Sequence, residues 1–150
     1  MKLATSKILV QLSEQERSDV ERELSGLNQR LQDLQQQQQQ GREHVEQLNR
    51  QRDQCTKQRN SAALLQAFNA SMIEQQQMLA SIQAGIVKLE REKYDVVRRM
   101  KAACRTEQAY QTVHHKEEHR LERQQTLHSQ REMDDLVAGR AATRAATGTA

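Results

Sequence analysis

Two histidines, His115 and His119, bracket a lysine and two glutamates in the segment HKEEH at 115–119. On a helix, residues four apart share a face. Two imidazoles so spaced can bind zinc while an intervening glutamate activates a water, which is the chemistry of metal-assisted peptide hydrolysis. A hydrolytic zinc site also needs a third ligand and a pocket that excludes bulk water. The sequence indicates no third ligand. The helical repeat described below puts both histidines on the solvent side, so a solvated helix face is the favoured reading and no metal is expected.

The other reactive residue types fare no better. Cys55 and Cys104 are the only cysteines. They suit a reducing cytoplasm, and a hairpin register holds them far apart along the helices, so no intramolecular disulfide is expected. The segment AACR at 102–105 lies among Arg98, Arg99, Lys101 and Arg105. It is similar to a bZIP basic region in composition but not in spacing, and no leucine zipper follows it, so no nucleic-acid binding is expected. There is no phosphate-binding glycine loop and no plausible catalytic triad. The chain reads as a non-enzyme without a cofactor.

The elements that carry these residues are two helical seams. From Leu65 to Leu121 a residue at alternating steps of three and four runs Leu65, Phe68, Met72, Gln75, Leu79, Ile82, Ile86, Leu89, Lys93, Val96, Met100, Ala103, Glu107, Tyr110, His114, Glu117, Leu121. That spacing defines one narrow stripe on an α-helix and requires a second helix to cover it. A shorter seam runs Val20, Leu24, Leu27, Leu31, Leu34, Gln38, Gly41, Val45, Leu48, Arg52, Cys55. Upstream, Leu3, Ile8, Leu9, Val10 and Leu12 form a helical apolar cluster with no clean heptad. The six glutamines 35–40 read as a solvated helix surface, because glutamine is a good helix former.

Composition supports a coiled coil over a globular core. Hydrophobic residues are 35% of the 150, only three are aromatic, and there is no proline. That is too little apolar surface for a thick core, and too little proline for disorder. The net charge of +3, from 23 basic and 20 acidic residues, fits a solvated coiled-coil exterior. No apolar run approaches 18 residues and no signal peptide is apparent, so a soluble protein that stays where it is made, without membrane insertion, is expected.

The fold class is therefore all-α, a long antiparallel two-helix coiled-coil hairpin. Helix 1 is expected over about 3–58, a turn near 59–63 with Asn60 or Ser61 as N-cap, and helix 2 over about 64–138. Together these make one domain at 1–138, with a flexible tail at 139–150. Facing layers have residue numbers that sum to 120: Val20 with Met100, Leu24 with Val96, Leu31 with Leu89, Gly41 with Leu79, Leu48 with Met72, Arg52 with Phe68. Gly41 makes the middle of the rod thin. Leu3 then meets Glu117, and helix 2 outruns helix 1. Its overhang carries Leu121, Leu127, Met133, Leu136 and Val137 with no partner helix in the same chain, which fits a docking site and equally a frayed helix end.

A hairpin of this length turning near residue 60, a glutamine-rich exterior, and the ending RLERQQTLHSQREMDDLVAGR at 120–140 together resemble the FliJ/YscO family, stalk proteins of flagellar and injectisome type III export. Gln130, Glu132, Asp134, Asp135 and Arg140 match that family's charged ending. The resemblance implies a monomeric, non-catalytic stalk in the cytoplasm, peripheral at the cytoplasmic face of the export apparatus. Such a stalk inserts into the hexameric type III export ATPase, couples it to the export gate membrane protein, and handles export chaperones. The ATPase-binding residues it implies are Leu121, Leu127, Glu132, Met133, Asp134, Asp135, Leu136, Val137 and Arg140. The acidic pair Asp134–Asp135 leans the setting towards the flagellum. The competing reading is a scaffolding coiled coil that forms a parallel dimer of long helices.

Overall fold

A computed structural model describes residues 2–58 and 61–148. The chain is all-α: α1 spans Leu3–Lys57 and α2 spans Ala62–Thr147. The two long helices pack against each other within one chain as a helical hairpin. This is the expected arrangement, and it differs from a parallel pair of uninterrupted helices.

At the start of α2 the Ser61 carbonyl accepts from the backbone N–H groups of Leu64 and Leu65. The Ser61 hydroxyl also accepts from Leu64 N–H at 3.4 Å. Ser61 is thus the N-cap, supplying an acceptor to a first-turn donor that has no partner within the helix. Asn60, the other expected cap, lies outside the described residues.

The chain divides into two compact units, residues 18–102 and residues 1–17 with 103–150. In the 18–102 unit the seams are apolar. Val20, Leu27 and Val96 form its buried cluster, against which Leu24, Leu89 and Met100 pack. This cluster holds the residues of two expected layers, Val20 with Met100 and Leu24 with Val96. Leu31, Leu48 and Ile86 are buried as well, and every expected seam position from Val20 to Met100 is at least half-buried. Each helix buries one residue in three or four, which is all a two-helix structure has to offer.

Further contacts fix the register of this unit. A Cβ added to Gly41 would sit 2.7 Å from Leu79 Cδ2, so these two backbones face each other as expected, with the leucine filling the space glycine leaves. Leu34 packs against Gly85, and Gln38 donates to Gln83 across the seam. One layer differs. Arg52 Nη1 reaches Met72 Sδ at 3.8 Å, where Phe68 was its expected partner. Side chains on a helix lean towards its N-terminus. In an antiparallel pair that lean carries a long side chain of α1 one turn further along α2.

At its other end α2 continues through Thr147, past the end expected near 138. The residues 141–147 are mostly alanine and threonine, and alanine is the strongest helix former. Thr143 and Thr147 return their hydroxyls to the carbonyls of Gly139 and Thr143 at 2.8 and 2.9 Å. Gly148 N–H closes the last turn on the Arg144 carbonyl at 2.8 Å.

The glycines give a test of this packing. Gly26 is exposed within α1 and nothing lies within 4 Å of an added Cβ. Gly26→Ala should therefore stabilise the protein by about 1 kcal/mol, the full helix-propensity difference. Gly41→Ala should return less, because the new methyl displaces Leu79. Chemical denaturation of both variants checks the order; equal gains would mean that Gly41 does not face the seam.

Candidate functional site

The unit formed by 1–17 and 103–150 is built differently from the other. Its seam runs to the start of α1 through Leu3, Ser6, Val10, Ser13 and Arg17, and each of these is at least half-buried. Ser6 and Ser13 are 1% and 3% exposed, whereas the apolar Ile8 and Leu12 are 55% and 57% exposed. The segment read from sequence as an apolar cluster without a heptad therefore has a regular seam. Two serines share its inside with Leu3 and Val10, while Ile8 and Leu12 lie on its outside. The missed signal was the unbroken step of three and four backwards from Val20, with polar residues on it.

Those buried polar atoms are satisfied locally, as burial requires. Ser13 Oγ donates to the Val10 carbonyl at 2.8 Å, and Ser6 Oγ donates to the Leu3 carbonyl at 2.8 Å. Ser6 Oγ also lies 2.9 Å from Nδ1 of His114 across the two helices. His114 Nε2 lies 3.3 Å from Glu118 Oε1. Arg17 pairs with the buried Glu107, whose second oxygen accepts from Gln111 Nε2 at 3.0 Å. Arg17 meets Glu107 one turn beyond Ala103, the position a sum of 120 gives when extended to this unit, and Arg52 shows the same offset in the other. Polar pairs of this kind specify a register more than they stabilise it.

Glu117 is half-buried further along the same seam. Arg120 reaches its carboxylate with Nη2 at 2.9 Å. This side-chain hydrogen bond holds the Glu117 carboxyl below its ordinary range, against an opposing push from desolvation. Leu121 is half-buried, and from residue 122 to 148 every position is exposed. Leu127, Met133, Leu136 and Val137 are 53%, 64%, 60% and 65% exposed. Glu132, Asp134, Asp135 and Arg140 are exposed around them, and Glu132 Oε1 lies 3.3 Å from His128 Nε2. Of the nine site residues expected from sequence, eight thus stand on bare helix, and Leu121 marks where the cover ends.

His115 and His119 are exposed, with ring centroids 5.2 Å apart. Their Nδ1 atoms face Glu118 and Glu122 at 3.2 and 3.3 Å. Among the described residues no third His, Cys, Asp or Glu joins them in a metal-binding group. Cys55 and Cys104 are free thiols. In the other unit Ile73, Val87 and Tyr94 are exposed. With Ala80 they recur every seven residues on one outward line, which a search restricted to the seam passes over.

Comparison with protein-family models, with characterised proteins and with solved structures gave no match to this chain. Among the described residues no helix is long and apolar enough to cross a membrane.

The histidine pair yields a direct expectation. His115→Ala with His119→Ala should leave the thermal midpoint within about 1 °C, because exposed helix positions contribute little. Purified wild-type protein should carry no stoichiometric zinc by elemental analysis. Zinc at one per chain, lost in the double variant, would contradict the solvated reading.

Proposed function

We propose that this helical hairpin is a non-catalytic coiled-coil stalk of a type III protein export apparatus, docking into a hexameric export ATPase through the α2 overhang. The observation that carries the reading is the run of exposed apolar side chains Leu127, Met133, Leu136 and Val137 on a helix that continues past the start of α1. An isolated helix does not bury such residues on itself, and a cluster of them beside charges is the composition of a docking surface. Glu132, Asp134, Asp135 and Arg140 give the surface charges of both signs, which steer and orient a partner more than they hold it.

A stalk needs a stiff element that joins two partners, and a two-helix hairpin is one. In this reading the chain ends enter the ATPase, and the region towards the turn reaches the export gate. Leu64 and Ile73, exposed near that turn, offer apolar contacts there. Export chaperones are further partners implied by the family resemblance. The setting is cytoplasmic, against the cytoplasmic face of the apparatus.

Met133→Ala with Leu136→Ala tests the assignment. Each exposed side chain is worth roughly 1.5 kcal/mol or more once buried, so losing both should weaken ATPase binding about a hundredfold or more. The thermal midpoint should barely move, because both residues are more than half exposed in the hairpin. An unchanged titration against purified export ATPase would remove the stalk assignment from this end of the chain.

A further inference from the structure

The outward line of α2 that carries Val87 and Tyr94 becomes cationic between 87 and 101. At steps of four and three it runs Val87, Arg91, Tyr94, Arg98, Lys101, and all five are exposed. It keeps the steps of the seam on the side of α2 turned away from α1. All five residues belong to the 18–102 unit.

The outer side of α1 in the same unit shows what a merely solvated face of this hairpin looks like. At the same steps from Arg22 to Arg50 it holds only arginine, serine, glutamine and glutamate, all exposed. It has no apolar residue, and its charges are of both signs. The α2 line differs on both counts. It holds an exposed valine and a tyrosine that is 67% exposed, and its three charges are all positive. Among the described residues none of Arg91, Arg98 and Lys101 is in an ion pair. Arg99, the next residue after Arg98, is paired with Glu23 of α1 at 2.6 Å, and Asp95 adds to the field at Arg99. The hairpin thus supplies a carboxylate to the cation that faces its own partner helix and none to the three on the outer line.

We infer that this line binds an acidic amphipathic helix of another protein, laid along α2 as a third helix over 87–101, a length of about 21 Å at 1.5 Å per residue. Val87 and Tyr94 are seven apart, and so are Arg91 and Arg98. A helix lying along them repeats at seven as well, so one row of its apolar residues meets the first pair and one row of its carboxylates meets the second. A further carboxylate meets Lys101. Charge selects this occupant. A second copy laid parallel on the same line sets arginine against arginine. Laid antiparallel it brings the cations no acid, because the line has none. A nucleic acid would satisfy the cations, but its phosphates offer nothing apolar to Val87. None of the five residues belongs to the overhang, so Met133→Ala with Leu136→Ala should leave this binding intact, which separates it from the ATPase reading.

Two synthetic three-heptad peptides titrated against the full-length chain test the chemistry. Both carry leucine at the positions facing Val87 and Tyr94. One carries glutamate and the other lysine at the positions facing Arg91, Arg98 and Lys101. The glutamate peptide should bind and the lysine peptide should not. Arg91→Glu with Arg98→Glu should weaken the glutamate peptide about tenfold or more and allow the lysine peptide to bind. Helix content by circular dichroism should not change, as both positions are exposed. A photo-cross-linking residue in place of Tyr94, in cells that make this protein, tests the occupant. The cross-linked peptide should come from another protein and carry carboxylates at a spacing of seven, while the same residue in place of Gln36 on α1 should capture none. Equal binding of the two peptides, or binding of neither, would overturn the inference. So would cross-links only to a second copy of this chain, or a short DNA duplex that binds more tightly than the glutamate peptide at physiological salt.

Discussion

Everything in this protein depends on a narrow stripe of side chains that only another helix can cover. A two-helix pairing buries two positions in seven, so the rest of each helix is surface whatever residues it carries. Where the stripe is leucine, valine, isoleucine and methionine, as between Val20 and Met100, the pairing supplies the buried cluster that holds the hairpin. Where it is Ser6, Ser13, Arg17, Glu107 and His114, the Ser6–His114 and Arg17–Glu107 contacts cross between the helices, and both serine hydroxyls also bond to carbonyls of α1 itself. Those bonds replace equally good bonds to water and so contribute little net stability. The seam chemistry thus differs between the two units, with an apolar buried cluster in one and buried serines and a buried glutamate in the other.

The second part also turns its apolar residues outward. Ile8 and Leu12 on α1 and Met133, Leu136 and Val137 on α2 leave water only by contact with something beyond this chain. The exposed Asp134–Asp135 pair and Arg140 lie among them.

Much of the fold was legible because a step of three and four is a geometric statement, and it survives polar substitution. Gln75, Lys93 and Glu107 were placed on the α2 seam by position alone, and all three are at least half-buried. Gly41 was placed opposite Leu79 by the same arithmetic. The rule failed where hydrophobicity was allowed to overrule spacing. Leu3, Ile8, Leu9, Val10 and Leu12 read as one cluster, yet Ile8 and Leu12 face away from the partner helix while Ser6 faces it. Arg52 went one layer astray because numbers that sum to a constant ignore the N-terminal lean of a long side chain. The end of α2 was set too early at Gly139, since one glycine costs about 1 kcal/mol and the alanines after it outweigh that. The overhang was visible as soon as the register was set, but nothing in a run of exposed side chains names what covers it.

The central claim is that seam chemistry, and not helix content, sets local stability in this hairpin. Residue-resolved native-state hydrogen exchange measures it most directly, comparing the wild-type protein with Ser6→Leu combined with Ser13→Leu. Amides over 20–31 should exchange only with global unfolding. Amides over 6–13 should exchange through a local opening of lower free energy, and the two leucines should raise their protection towards that of 20–31. Equal protection of both segments in the wild type, or no gain from the leucines, would contradict the account.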